Sequence, residues 1–251
     1  MTVLIGAIIA LLGATVASFV GVIVERINTG ASWTNDRSRC DACMTTLTAR
    51  DLIPMVSWVA SLGKCRTCGS KIPARHVIVE GLVALAFFTG YVLLGPTPLL
   101  FIFLVALAFL LFIVLYDLRH TIVPMKPVLA FILFALIFRV MYEPVPHEIG
   151  TALLFAGVAS AVFLLFHILS KGRAMGLGDA PAVLGLSLLV GPFSVVSGVL
   201  FSFWIGALYG MVVLAQTPRG HRMGIEVPFV PFLALGFLLA YATGWNPLPL
   251  F

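Results

Sequence analysis

The stretch Val3-Leu-Ile-Gly-Ala-Ile-Ile-Ala-Leu-Leu-Gly-Ala-Thr-Val-Ala-Ser-Phe-Val-Gly-Val-Ile-Val24 runs for 22 residues without a charge. A helix needs about 20 apolar residues to cross a hydrocarbon core of about 30 Å, so this segment is long enough to span a bilayer. A cleaved signal peptide carries basic residues ahead of a shorter apolar run. Met1-Thr2 has none, so the segment is expected to be retained as a first span. Further apolar runs cover 77–94, 99–116, 128–142, 149–169, 180–190, 193–215 and 227–242, each bounded by Gly, Pro or charge. The 251-residue chain is 61% hydrophobic and 10% charged, with mean hydropathy +1.13, which excludes an ordinary soluble domain. These runs predict an all-α polytopic membrane helix bundle of about eight transmembrane helices. The sixth run reaches only roughly 17 Å at 1.5 Å per residue, so it either continues through Gly191-Pro192 or is a half-helix.

The net charge is +5. Nucleic-acid binding requires basic residues gathered on one face, whereas here they punctuate the apolar runs, so no nucleic-acid partner is expected. With eight alternating spans, Arg26 through Arg75, Arg119, Lys126, Lys171, Arg173, Arg219 and Arg222 all fall on one side. Arg139 alone falls elsewhere. The positive-inside rule makes the basic side cytoplasmic and the chain a multi-pass membrane protein with both termini on the other face. The external turns 95–98 and 143–147 are short and Pro-rich, with little room for a further domain.

Residues 25–76 differ in composition. They hold eight of the fifteen basic residues and all four cysteines, and read as a small cytoplasmic subdomain between a first helix over 1–24 and a membrane core over 77–251. Cys40-Asp-Ala-Cys43 and Cys65-Arg-Thr-Cys68 form two C-x-x-C knuckles separated by 21 residues, the pattern of a Cys₄ zinc ribbon. Gly69 follows the second pair, where sulfur ligation favours a tight backbone turn. Disulfides, free thiols and iron are the alternatives, and a reducing cytoplasm disfavours the first. Four sulfur ligands leave no open position for water, so the zinc is expected to be structural and to supply much of the loop's folding energy.

A carboxylate in or beside a spanning helix costs a few kcal/mol on insertion scales and calls for a reason. Asp117 ends the third apolar run, and Asp179 follows Met175-Gly-Leu-Gly178 ahead of the sixth. Alternation puts both at one membrane boundary. Two carboxylates brought together share one proton, so one can activate water while the other donates to a carbonyl, as in aspartic proteases. Gly176 and Gly178 would let an extended peptide approach closely. Two plainer readings stand beside this one: Asp179 as an N-cap of the sixth helix, and Asp117 paired with Arg119. Glu80, one turn into the second helix, is expected to pair with a basic residue of the loop or to line a substrate entrance. Glu25-Arg26 reads as a boundary pair, and His167 as packed or hydrogen-bonded rather than catalytic. No Ser/His/Asp set, H-E-x-x-H or phosphate loop occurs. A proton-coupled transporter and a non-enzymatic zinc-loop component of a secretion assembly also fit these residues taken alone.

The whole chain resembles the bacterial type IV prepilin peptidases of the Gly-x-Gly-Asp membrane aspartic protease family. The resemblance runs through Ser18-Phe19, Arg26, Cys40-x-x-Cys43, Asp51-Leu-Ile-Pro-Met-Val-Ser-Trp58, Gly63-Lys-Cys-Arg-Thr-Cys68 and Arg75-His-Val-Ile-Val-Glu80. It continues with Asp117-Leu118, Val123-Pro124, Gly176-Leu-Gly-Asp179 and Pro228-Phe-Val-Pro-Phe-Leu233. It implies a leader peptidase with Asp117 and Asp179 as catalytic residues and Cys40, Cys43, Cys65 and Cys68 as metal ligands. The implied substrates are prepilins or pseudopilins of type IV pilus or type II secretion systems. Their basic leader would be cut after a glycine at the cytoplasmic face, with the hydrophobic pilin helix lying in the lipid bilayer. Methylation of the new N-terminus with S-adenosylmethionine is implied as a second step, although no motif for that cofactor is found; a protease without it is the alternative. Three positions depart from the family pattern: Pro181 stands where a lysine is usual, Val230 where a glycine is, and Met125 where an acid is.

Overall fold

A computed structural model describes residues 2–27, 29, 32, 36–173, 175–218 and 227–247. The described chain is helical: α1 Thr2–Arg26, α2 Val56–Ala60, α3 Arg75–Leu94, α4 Pro98–His120, α5 Met125–Tyr142, α6 Pro146–Ser170, α7 Asp179–Val190, α8 Val195–Gln216 and α9 Val230–Thr243. Strand pairing among the described residues is limited to two isolated bridges. Helices α1, α3, α4, α5 and α6, and α8 with the turn before it, are long and apolar enough to cross a membrane, whereas α7 and α9 are shorter. The eight expected apolar runs are all helical, six of them among the described residues being long enough to span, and α2 is a short addition within the polar loop. Outward apolar side chains such as Phe101, Leu169 and Leu208 are exposed, as lipid-facing residues are. Arg219 and Arg222, part of the charge argument, lie outside the described residues.

The chain divides into two compact units, 1–100 and 101–251. In the first, α1 packs along α3. Glycines permit the approach: a Cβ on Gly13 would come within 2.7 Å of the Phe87 ring. The Tyr91 hydroxyl donates to the Thr2 carbonyl at 3.2 Å. At the other end of α1, Glu25 pairs with Arg75 at 3.7 Å, while Arg26 donates to the carbonyls of Ser32 and Asp36. Glu25 and Arg26 thus bind separate partners instead of each other, because their side chains leave the helix in different directions.

In the second unit α7 is central. Nine of its twelve residues are buried, against α5, α6 and α9. An apolar surface on every side suits a helix that is surrounded. Pro181 lies in the first turn, where helix geometry leaves N–H groups without partners and a proline costs little. The helix stops at Val190, because Gly191 adopts φ +94° and turns the chain away. It does not continue through Gly191-Pro192.

The end of α7 explains the odd position of Arg139. The residue is 2% exposed. Nε donates to the Leu188 carbonyl at 2.8 Å and Nη2 to that of Leu189 at 3.2 Å, while Nη1 pairs with Glu143 at 2.8 Å. The last carbonyls of a helix have no intrahelical partner, and a bilayer interior supplies no water to replace one. A guanidinium there satisfies them and meets the negative end of the helix dipole. Arg139 is therefore a helix cap, unrelated to membrane sidedness.

Arg139→Met leaves both carbonyls and Glu143 unpaired. It is expected to destabilise the protein by about 3–5 kcal/mol, read as a lowered unfolding midpoint in detergent. Glu143→Gln retains an acceptor for Nη1 and should cost less. An unchanged midpoint in Arg139→Met would remove the cap.

Candidate active site and metal centre

Asp117 lies in the last turn of α4, and α4 ends at His120. A carboxylate near a helix C-terminus faces the unfavourable end of the dipole, so it needs a partner from elsewhere. That partner is the first turn of α9, where the Val230 N–H donates to Asp117 Oδ2 at 3.0 Å. Phe229, at the cap position of α9, makes no side-chain cap bond, so Asp117, 113 positions before Val230, performs the capping. Asp117 is 3% exposed. The expected pairing with Arg119 is replaced by this bond. Val230, which departs from the family's glycine, has its side chain fully buried while its amide holds the acid.

Asp179 is the first residue of α7, with Gly178 at the cap position, so the N-cap reading does not hold. Its Oδ2 accepts the Gly176 N–H at 3.0 Å, and its own N–H donates back to the Gly176 carbonyl at 3.3 Å. It is 5% exposed, and the charge of Asp117 acts on it. Gly178 has a packing reason: any Cβ there would overlap the Val123 side chain. Val123 lies in the short connection between α4 and α5, so this contact draws the Asp117 end of α4 toward the start of α7. Sequence reasoning assigned Gly178 to substrate approach and quoted Val123 only as part of the family pattern, without a role, because a small apolar side chain gives no sign of what it packs against. His167, at the end of α6, contacts the same loop through the Met175 carbonyl at 2.9 Å.

In the first unit the sulfurs of Cys40, Cys43, Cys65 and Cys68 all lie within 4.8 Å of one another, and the cysteines are free of disulfides. Four thiolates so placed can hold a metal ion. Cys40 and Cys68 are 3.8 Å apart at sulfur. Tetrahedral ligation with metal–sulfur bonds of about 2.3 Å requires an edge of about 3.8 Å. The two knuckles are built alike. Met44 N–H returns to the Cys40 carbonyl and Gly69 N–H to that of Cys65, each at 2.9 Å, and the flanking bridges Arg39–Thr46 and Lys64–Lys71 correspond. Both turn residues are left-handed, Met44 at φ 58° and Gly69 at φ 73°. Cys40 is set for ligation: bonds from Ser70 and then from the backbone of Cys43 and Ala42 lower its pKa to about 6.

The segment between the knuckles is tied in two places. Asp51 accepts the Thr48 hydroxyl at 2.6 Å and its N–H at 3.0 Å, and pairs with Arg66 at 3.4 Å. These contacts, the Thr48 hydroxyl foremost, hold the Asp51 carboxyl below its usual range. Glu80, buried in α3, accepts the Met55 N–H at 2.7 Å, with Met55 itself at φ 58°. None of the ion pairs found among the described residues involves Glu80. It anchors backbone rather than a basic side chain.

Two family models match the chain: the bacterial peptidase A24 N-terminal domain over residues 11–94, and the type IV leader peptidase family over residues 104–211. A prepilin leader peptidase/N-methyltransferase from Dichelobacter nodosus is 32% identical over 82% of this chain and 71% of its own. Proteins of the same name are similar from Aeromonas salmonicida, 29% identical over 83% and 72%, and from Bacillus subtilis, 27% identical over 94% of each. No solved structure gives a significant match. These relatives make the chain a multi-pass membrane enzyme of prepilin processing, in place of a transporter or a non-enzymatic anchor.

Gly178→Ala forces Val123 aside and is expected to cost about 1–3 kcal/mol. Val123→Gly in the same chain removes the Cβ that the new methyl would meet first and should recover part of it, as contacting residues couple. Additive losses in a thermal-unfolding cycle would show that the two do not touch.

Proposed function

The chain belongs to the type IV leader peptidase family, and on that premise we propose that Asp117 and Asp179 are the pair that cuts the basic leader from a prepilin or pseudopilin. The observation that carries this reading is a pair of buried carboxylates, each with Oδ2 held by a backbone N–H, with the charge of Asp117 acting on Asp179. Fixing one oxygen of each acid keeps the pair oriented without a counter-ion. Two neighbouring carboxyls in an apolar setting hold one proton between them. The ionised member takes a proton from water as the water oxygen attacks the scissile carbonyl, and the protonated member donates to that carbonyl oxygen. The two acids titrate as one unit, so acid and base are properties of the pair.

We place the cut at the cytoplasmic face, after a glycine, with the pilin helix in the bilayer of the inner membrane. The concentration of basic residues on one side of the spans supports this sidedness. Gly176, beside Asp179, supports close approach by an extended backbone. By this reading the membrane peptidase core lies within 77–251, after a first helix over 1–24 and a zinc loop over 25–76. Zinc is the ion the four sulfurs suit best, in a structural role. Methylation of the new N-terminus rests on the double name of the relatives, and the chain shows no motif for S-adenosylmethionine.

Asp117→Asn and Asp179→Asn should each lower leader cleavage by at least about 100-fold while the protein still inserts. Near-normal cleavage of a leader-bearing prepilin by either variant would end the reading. Purified protein should carry zinc at one ion per chain, lost in Cys65→Ser. The folded site favours the Cys40 thiolate, so that contribution declines as pH falls from 9 and is gone below about 6. Protons compete with the metal for the four sulfurs, so zinc affinity should weaken steadily as the pH is lowered, and an affinity that does not change with pH would contradict the assignment. Radiolabel from methyl-labelled S-adenosylmethionine should appear on the cleaved pilin; unlabelled product would limit the enzyme to proteolysis.

A further inference from the structure

The loop between α6 and α7 contains a connection that passes through a single peptide group. His167 Nδ1 lies 2.9 Å from the Met175 carbonyl oxygen. A carbonyl only accepts, so Nδ1 carries the proton and donates it. The amide on the other side of that same peptide is Gly176 N–H, which donates to Asp179 Oδ2 at 3.0 Å. The sequence is imidazole N–H, then carbonyl, then amide N–H, then carboxylate, with one peptide plane in the middle.

The imidazole is itself held. Gly172 N–H returns to the His167 carbonyl at 2.9 Å, and the reversal after α6 uses Lys171 at φ 54° and Gly172 at φ 76°. A Cβ on Gly172 would sit 3.3 Å from His167 Cε1, so the ring rests against the turn. The sequence reads His167 as packed or hydrogen-bonded rather than catalytic, and its bond to Met175 is not needed to end α6, because backbone bonds already do so.

We propose that His167 is a positioning residue for Asp179, acting through the peptide that joins Met175 to Gly176. Donation to the carbonyl withdraws electron density from the amide and makes Gly176 N–H a stronger donor, as hydrogen bonds in series polarise one another. The stronger bond fixes Oδ2 and leaves Oδ1 as the atom that exchanges a proton with water or substrate. The inference rests on the reading of Asp179 as a catalytic residue.

The test uses full-length protein with four substitutions. His167→Asn places an amide N–H near the position of Nδ1; His167→Gln places it near Nε2; His167→Phe keeps the ring without a donor; His167→Ala removes both. Leader cleavage by His167→Phe, His167→Gln and His167→Ala should fall about tenfold in kcat, with KM within about twofold, as expected for loss of one hydrogen bond. His167→Asn should stay within about threefold of wild type. A second readout is independent of activity. Met labelled at the carbonyl carbon and Gly labelled at nitrogen give signals from two peptides only, 175–176 and 223–224. The Gly176 amide proton should move upfield in His167→Phe and His167→Gln and keep its position in His167→Asn, with Gly224 unmoved. If His167→Asn resembles His167→Phe in both readouts, the ring matters by packing and the relay is overturned. Unchanged kcat and amide shift in all four variants would also overturn it. If Asp179→Asn retains cleavage, the catalytic reading fails on its own, and the amide shift still decides whether the relay exists.

Discussion

Helix α7 is too short to connect one side of a hydrocarbon core with the other, and the second unit is organised around its two ends. At one end the backbone carbonyls have neither a following turn nor water to receive them, so Arg139 is drawn into the interior to do so. At the other end stands Asp179, on a helix whose sides are enclosed by α5, α6 and α9. A fixed end allows the opposite end to be placed accurately, because a helix transmits position along its axis. The burial of Arg139 costs desolvation, which its three partners offset.

The buried carboxylates share one solution to the same problem. Asp117 takes an amide from α9, Asp179 takes one from its own loop, and Glu80 takes one from the polar segment before α3. Lysine or arginine partners would neutralise these acids; backbone amides orient them and leave their charge in place. That difference suits a proposed active site in the case of the aspartates. For Glu80 the same bond fastens chain to chain.

Much of this architecture was legible beforehand. Eight apolar runs gave the helices, because a bilayer leaves a compositional trace that needs no tertiary information. The cysteines were equally plain, since ligand spacing is local. Arg139 was visible as an anomaly in the charge pattern, but its role depended on where α7 stops, and that is set by the backbone at Gly191. The partners of Asp117, Asp179 and Glu80 were not legible, because each is a main-chain N–H and any residue can supply one. The central place of α7 was hidden for a related reason: in a membrane protein, lipid-facing and buried helices have similar composition. His167 sat outside every motif and acquired a role only when the loop brought the Met175 carbonyl to it.

The paired knuckles have a consequence for the chain they enclose. The 21 residues between Cys43 and Cys65 are joined at both ends by the metal-holding sulfurs, so an ion bound there acts as a cross-link that closes a loop. Closing such a loop removes conformational freedom from the unfolded segment, in the manner of a disulfide, but reversibly and under control of metal supply. Met55, whose amide reaches Glu80, lies inside that loop. Metal availability would then act on the polar segment as a mechanical tether, tightening or slackening the chain that is pinned to α3.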